Sequence, residues 1–306
     1  MSRPRDNRAA LVTVAAEGIV APARCYGDPA GADGGPPLLP GCGGVALGVH
    51  MGDEVDRWLG DHLMPGACIE DRIDGQPGPG SLHLLACLGN RVRLGSGERL
   101  GVVAGKRGGL APGFLPPSLL TVEAPDGLLE RLCPGERVIV ETTGRGLLLP
   151  DHPLVALFNL SPVLLDMLPV TARAGKLEVT VRAWLPPWAA GSGIGQDAWI
   201  GDVDIGDEEA LAGRSLRYGD LVGFRDIDSS AGRFRRPGYV SVGLVCHGPG
   251  RQEGHGPGVC ILLSGPAAEL TCVEGGAASL GTLLAELAAD RTALDDSHAP
   301  SRAGHD

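Results

Sequence analysis

The sequence predicts an α+β protein dominated by β structure: many short strands in two packed β-rich domains with few short helices. Three observations carry this reading. Glycine (49) and proline (25) recur throughout the 306 residues, and such punctuation interrupts helices and closes strands into turns. The apolar runs are short, rich in Val, Leu and Ile, and bounded by glycine. Aromatic residues make up only 4% of the chain, so a core must be built from Leu, Val, Ala and Ile.

Taken in order, Ala9–Gly18, Gly44–Val49 and Ala67–Glu70 read as strands, with Asp53–Trp58 a short helical turn. Leu82–Leu88 and Arg91–Leu94 read as a hairpin about Gly89-Asn90. Leu100–Ala104, Leu119–Val122 and Arg137–Thr142 are further strands, and Asp126–Leu132 suits a short helix. Ser161-Pro162 has the form of a helix start, a capping hydroxyl followed by proline at the first helical position. The first domain is expected over 1–160 and the second over 161–291, with a polar, disordered tail at 292–306. In the second domain Lys176–Trp184 and Asp220–Arg225 read as strands. Ser279 is placed to cap a terminal helix with Leu280, Leu283, Leu284 and Leu287 on one face. That leucine face is the feature a non-catalytic ligand-binding or scaffold subunit would present to a partner.

The net charge of −11 argues against binding nucleic acid, which needs a basic footprint. No apolar run is long enough to span a membrane, and Asp6 interrupts the basic N-terminus, so no signal peptide is expected. The eight cysteines show no CxxC spacing, which speaks against structural zinc. Reduced thiols in a cytoplasmic protein are the expectation.

The chemistry concentrates in glycine-lined bends. Between the apolar runs Tyr239–Cys246 and Val259–Leu263 lie twelve residues with five glycines, two prolines, His247 and His255. That is too long for a tight turn, and long ordered connections are often functional. Gly105-Lys106-Arg107-Gly108-Gly109, at an expected strand end, combines two cations with freed amides as an anion cradle. Gly191-Ser192-Gly193-Ile194-Gly195 lacks dinucleotide spacing but can close over a pocket. Asp226 and Asp228, two apart on a strand, are expected to share a face and act as base or ammonium holder. Arg233, Arg235 and Arg236 follow as partners for these acids or for a sulfate or phosphate, and form the one dense basic patch for an acidic carrier protein. Asp61-His62, His247 and His255 offer mixed nitrogen and oxygen ligands, the basis of an alternative in which His62, His247, His255 and Asp228 assist amide hydrolysis through a metal.

The marks G-D-H at 60–62, G-K-x-G-G at 105–109, G-S-G-I-G at 191–195, Y-G-D at 218–220 and H-x(7)-G-H-G-P-G-V at 247–259 together resemble the family catalogued as domain of unknown function 4438, over about Val12 to Ser264. Arg107 stands where thermophile members carry histidine. The resemblance implies a β-rich two-part fold and no settled activity. The arginine-rich version of the pattern is also similar to aziridine-forming enzymes of the azinomycin type, which close a three-membered ring by expelling sulfate and work with a second subunit. On that likeness the expected function is ring closure in natural-product biosynthesis, an amine displacing sulfate within one small amino-bearing, anionic substrate, free or carrier-tethered. Lys106, Arg107, Arg233, Arg235, Arg236, His247 and Gly193 would hold the anion. Asp226, Asp228, His62 or His255 would serve as base, with neither metal nor cofactor.

Overall fold

The structure is a computed structural model that describes residues 3–24, 39–73, 76–77, 80–108, 118–276 and 278–290. The expected tail and Gly109 lie outside the described residues. In chain order the first half runs β1 (Val14–Val20), β2 (Val45–Ala46), β3 (Gly66–Glu70), β4 (Arg72–Ile73), β5 (Gln76–Pro77), α1 (Ser81–Leu85), β6 (Arg91–Leu94), β7 (Arg99–Arg107), β8 (Leu119–Glu123), α2 (Asp126–Leu129) and β9 (Arg137–Thr142). The second half runs β10 (Ala156–Leu157), α3 (Pro162–Met167), β11 (Val170–Arg173), β12 (Lys176–Val181), β13 (Ala183–Leu185), β14 (Val203–Asp204), β15 (Leu221–Asp228), β16 (Phe234–His247), β17 (Gly258–Pro266), β18 (Leu270–Glu274) and α4 (Gly281–Ala289). The fold is thus β-dominated, with four short helices among the described residues.

The first sheet has the order β1-β9-β6-β7-β8-β3-β2, and β1 also pairs with β3, which closes six of its strands into a ring. Closure removes the exposed edges of an antiparallel sheet. The second sheet runs β10-β17-β16-β15-β13, with β14 attached to β17. It takes β10 from ahead of residue 161, the expected start of the second domain. Strands such as β9 and β12 alternate buried and less buried residues, whereas β3 and β8 are buried throughout. One continuous apolar core spans both halves. β7 lies against β16 and β17, and the approach is close: a Cβ added to Gly105 would stand 2.5 Å from Cys246 Cβ. This contact brings the end of β7, Lys106 and Arg107, beside the end of β16, Cys246 and His247.

Several local expectations are corrected. Residues 81–85 form a helical turn instead of a hairpin arm, begun at left-handed Gly80. Asp53–Trp58 forms turns held by a bridge between Glu54 and Arg217. The first strand starts later than Ala9, after a 3-10 turn at Arg8–Ala10. Ser161 does cap α3, its hydroxyl accepting from Leu164 N–H at 3.1 Å, with Pro162 next. Leu280, not Ser279, occupies the cap position of α4. Leu280, Leu284 and Leu287 are buried in the common core and only Leu283 is exposed, so the leucine face is packing surface and not a docking face. Six of the seven cysteines described are buried, all seven are free thiols, and among the described residues no helix is long and apolar enough to cross a membrane.

Candidate metal centre

Six side chains from four separate segments meet at one point. Asp61 and His62 come from the loop after β2, Asp202 and Asp204 flank Val203 at β14, and His247 ends β16. His255 rises from the glycine loop. On a strand, residues two apart share a face, so Asp202 and Asp204 point together while Val203 is buried in the core. Gly258 pairs with Asp204 on one side and His247 on the other. A Cβ there would lie 1.9 Å from His247 Nε2. Only glycine lets the imidazole cross β17 and reach the aspartates. Gly250 plays the same part for His62, whose ring would stand 2.2 Å from an added Cβ.

His62 sits at φ 56°, a left-handed conformation that histidine adopts at some cost. Its N–H donates to Pro249 O at 2.9 Å. Its Nδ1 lies 2.6 Å from Asp61 Oδ1. The carboxylate accepts, so Nδ1 carries the hydrogen and the Nε2 lone pair faces inward. There it meets His255 Nδ1 at 3.3 Å and Asp204 Oδ2 at 4.0 Å. His255 Nδ1 to Asp204 Oδ2 is 3.0 Å. His247 Nε2 lies 2.6 Å from Asp202 Oδ2 and 3.4 Å from Asp204 Oδ1. The ring centroid of His62 lies 5.3 Å from that of His247 and 5.4 Å from that of His255. His255, 30% exposed, is the part of the cluster that reaches solvent; the His247 side chain is fully buried.

The electrostatics divide the three imidazoles. Burial holds His62 below its usual range, and this, with the positive charges of His247 and Arg107, outweighs the pull of Asp61. A neutral His62 is what a ligand nitrogen requires. Burial alone would raise Asp202 and Asp204, but their bonds and proximity to His247 hold both carboxyls well down. The hydrogen bond to Asp204 raises His255. Burial disfavours a charged His247, but Asp202 and Asp204 override it and push its pKa up to about 9. Arg107, itself buried, adds its charge to the surroundings of Asp61, His62, Asp202, Asp204's partner His255, and contacts Cys42 Sγ at 3.3 Å.

The other expected site residues are elsewhere engaged. Lys106 and Arg107 lie within β7, paired with Leu120 and Leu119, so these two residues belong to the sheet and not to a loop of freed strand-end amides. Lys106 is fully buried and donates to the carbonyls of His83 (2.7 Å) and Trp199 (3.4 Å). Burial lowers it to about 8. Arg233, likewise buried, donates to the carbonyls of Gly193, Gly201 and Asp202. Gly193 is left-handed at φ 91°, packed on the Asp202 carbonyl. Both cations serve backbone oxygens that burial would otherwise leave unpaired. Arg235 is exposed. Arg236 binds Asp228 at 2.8 Å and covers the Tyr239 ring. The expected basic patch is therefore divided between interior and surface.

Asp226 and Asp228 do not act as a pair. A bulge separates Arg225 from Ile227 in the β15–β16 register, and Asp226 takes φ 53°. Asp226 accepts from Gly238 N–H at 2.7 Å, while Asp228 accepts from Ser230 and Arg236. In place of Asp228, the histidines meet Asp202 and Asp204, two residues the sequence reading passed over. Their signal was present in D-V-D at 202–204, the same spacing used for 226–228.

The family models described as Domain of unknown function (DUF4438), N-terminal, and Domain of unknown function (DUF4438), C-terminal, match residues 29–166 and 167–284. A solved structure, "Crystal structure of TM1086", is similar at 32% identity with a TM-score of 0.83, covering 92% of this chain and 100% of that one. No curated protein matches.

Proposed function

We propose that this chain, which belongs to the DUF4438 family, is a metal-dependent hydrolase of small amides that carry an anionic group. The observation that carries the reading is the triad of His62 Nε2, His255 Nδ1 and Asp204 Oδ2. Its spacings of 3.3, 3.0 and 4.0 Å bracket the ligand separation of a tetrahedral zinc site, about 3.3 Å for bonds of about 2.0–2.1 Å. Asp61 on the far nitrogen of His62 supplies the carboxylate–histidine–metal arrangement that orients a ligand ring. A hydrogen on His255 Nδ1, pointing to Asp204 Oδ2, lies between the three atoms, and a cation would take its place.

A cation held by His62, His255 and Asp204 would supply an activated water near neutral pH. Hydrolysis would add the water oxygen to the amide carbonyl carbon as the C–N bond breaks, with a water proton going to the departing amine. Arg107 provides positive charge for the substrate's anionic group. The exposed edge of His255 marks the side of entry.

A second reading rests on Arg107 standing beside carboxylates and imidazoles. In ring closure an amine nitrogen would bond to carbon as the carbon–sulfate bond breaks, with the amine proton passing to Asp204 or His255 and the sulfate to Arg107. This aziridine-forming chemistry needs no cation. The two readings separate in one experiment. The purified chain is analysed for zinc and manganese, stripped with chelator, and assayed for amine release from a panel of N-acetylated amino acids. Bound metal, with activity lost on stripping and restored by zinc or manganese, is the expected result. A chain that neither carries nor takes up either cation overturns the hydrolase reading in favour of metal-free ring closure.

A further inference from the structure

We infer that the cluster holds two cations, with Asp204 as the bridging carboxylate: His62 and His255 complete the first site, Asp202 and His247 the second. The inference rests on the metal reading above and extends it. Asp204 divides its oxygens. Oδ2 faces His255 and His62, whereas Oδ1 faces His247 at 3.4 Å. The donor atoms form two triads, His62–Asp204–His255 and Asp202–Asp204–His247, that share only Asp204.

The second triad is built as carefully as the first. His247 Nδ1 lies 2.7 Å from Gly248 O. A carbonyl only accepts, so Nδ1 carries a hydrogen and Nε2 is aimed between the two aspartates. Asp202 Oδ1 is held by Gly108 N–H at 3.1 Å, which leaves Oδ2 for the centre. The 2.6 Å contact of Oδ2 with His247 Nε2 is a hydrogen bond whose proton a cation replaces, the two ligands then relaxing apart. The backbone is committed to this contact, since any Cβ at residue 258 collides with the ring.

Charge points the same way. With His247 neutral, as a ligand must be, the carboxylates of Asp61, Asp202 and Asp204 outnumber the neighbouring buried cations Arg107 and Arg233, so the cluster carries net negative charge for cations to offset. Paired cations about 3.5–4 Å apart clamp both the attacking and the polarised oxygen. Here the first would carry hydroxide at the solvent-facing His255 side, and the second would take the carbonyl oxygen.

The test is metal stoichiometry on the full chain, stripped and then titrated with Zn²⁺ by calorimetry, with a parallel Mn²⁺-loaded sample for electron paramagnetic resonance. Two equivalents of zinc and an exchange-coupled manganese signal are expected. Asp202→Asn should bind one equivalent and lose the coupled signal; His255→Asn, reporting on the other site, should also bind one. One equivalent in the wild type overturns the second site, leaves the one-cation hydrolase standing, and makes His247 a protonated partner of the aspartates. No binding at all overturns both.

Discussion

Two D-x-D segments in the second half of the chain have opposite fates. Asp202-Val203-Asp204 and Asp226-Ile227-Asp228 share the spacing that puts two carboxylates on one strand face. In the first the strand is regular, and both acids face histidines delivered from three other segments. In the second a β-bulge turns Asp226 to φ 53°, so the two acids part and each finds its own local partners. Asp228 is held by Ser230 and by Arg236, half-exposed at 48%. The difference is one of partners. A carboxylate held by hydroxyl, amide and guanidinium groups has most of its acceptor sites occupied by donors that do not give way to a metal ion. A carboxylate among imidazoles has partners that can exchange a proton for a metal ion.

The sharpest way to break this comparison is the same substitution in both segments. Asp204→Asn should weaken zinc binding by more than about 100-fold, measured by competition with a chelating dye, while Asp228→Asn should leave it unchanged. Equal losses, or a loss only at 228, would reverse the assignment. A smaller effect is expected from Asp61→Asn. It keeps the shape beside His62 but removes the charge that orients the ring, so zinc affinity should fall about 10–100-fold with little change in the urea midpoint.

The smallest effect concerns the second segment alone. Burial raises the Asp228 carboxyl, but bonds from Ser230 and Arg236 more than offset this and hold it below the ordinary value. A depressed folded pKa stabilises the protein above the unfolded value of about 3.9 and ceases to do so as pH falls through the folded one. The stability gap between wild type and Asp228→Asn should therefore be about 1 kcal/mol at pH 6 and should narrow below pH ~4, read from urea midpoints at each pH. A gap that widens on acidification would mean that Asp228 is not stabilised as a carboxylate.

Much of the scaffold could be read from local pattern. The short apolar runs became strands, Ser161-Pro162 began a helix, and the glycine-rich connection carrying His247 and His255 proved to border the centre. Residues 81–85 were misread because a short apolar run does not reveal its period; left-handed Gly80 started a helical turn there. The cations were misread for another reason. Lys106 and Arg233 look like ligand-binding groups in a sequence, but burial obliges each to satisfy nearby carbonyls.

The sequence alone therefore determined the class of fold, the punctuation of its strands, and the glycine-rich stretch that carries two of the histidines. Tertiary structure decided which acids those histidines meet. Side-chain direction on a strand depends on register, and register is set by partner strands distant in the chain. The β14–β17–β16 pairing, with glycine at 258 beneath the His247 ring, brings Asp202 and Asp204 to the histidines, while a single bulge in β15 parts Asp226 from Asp228.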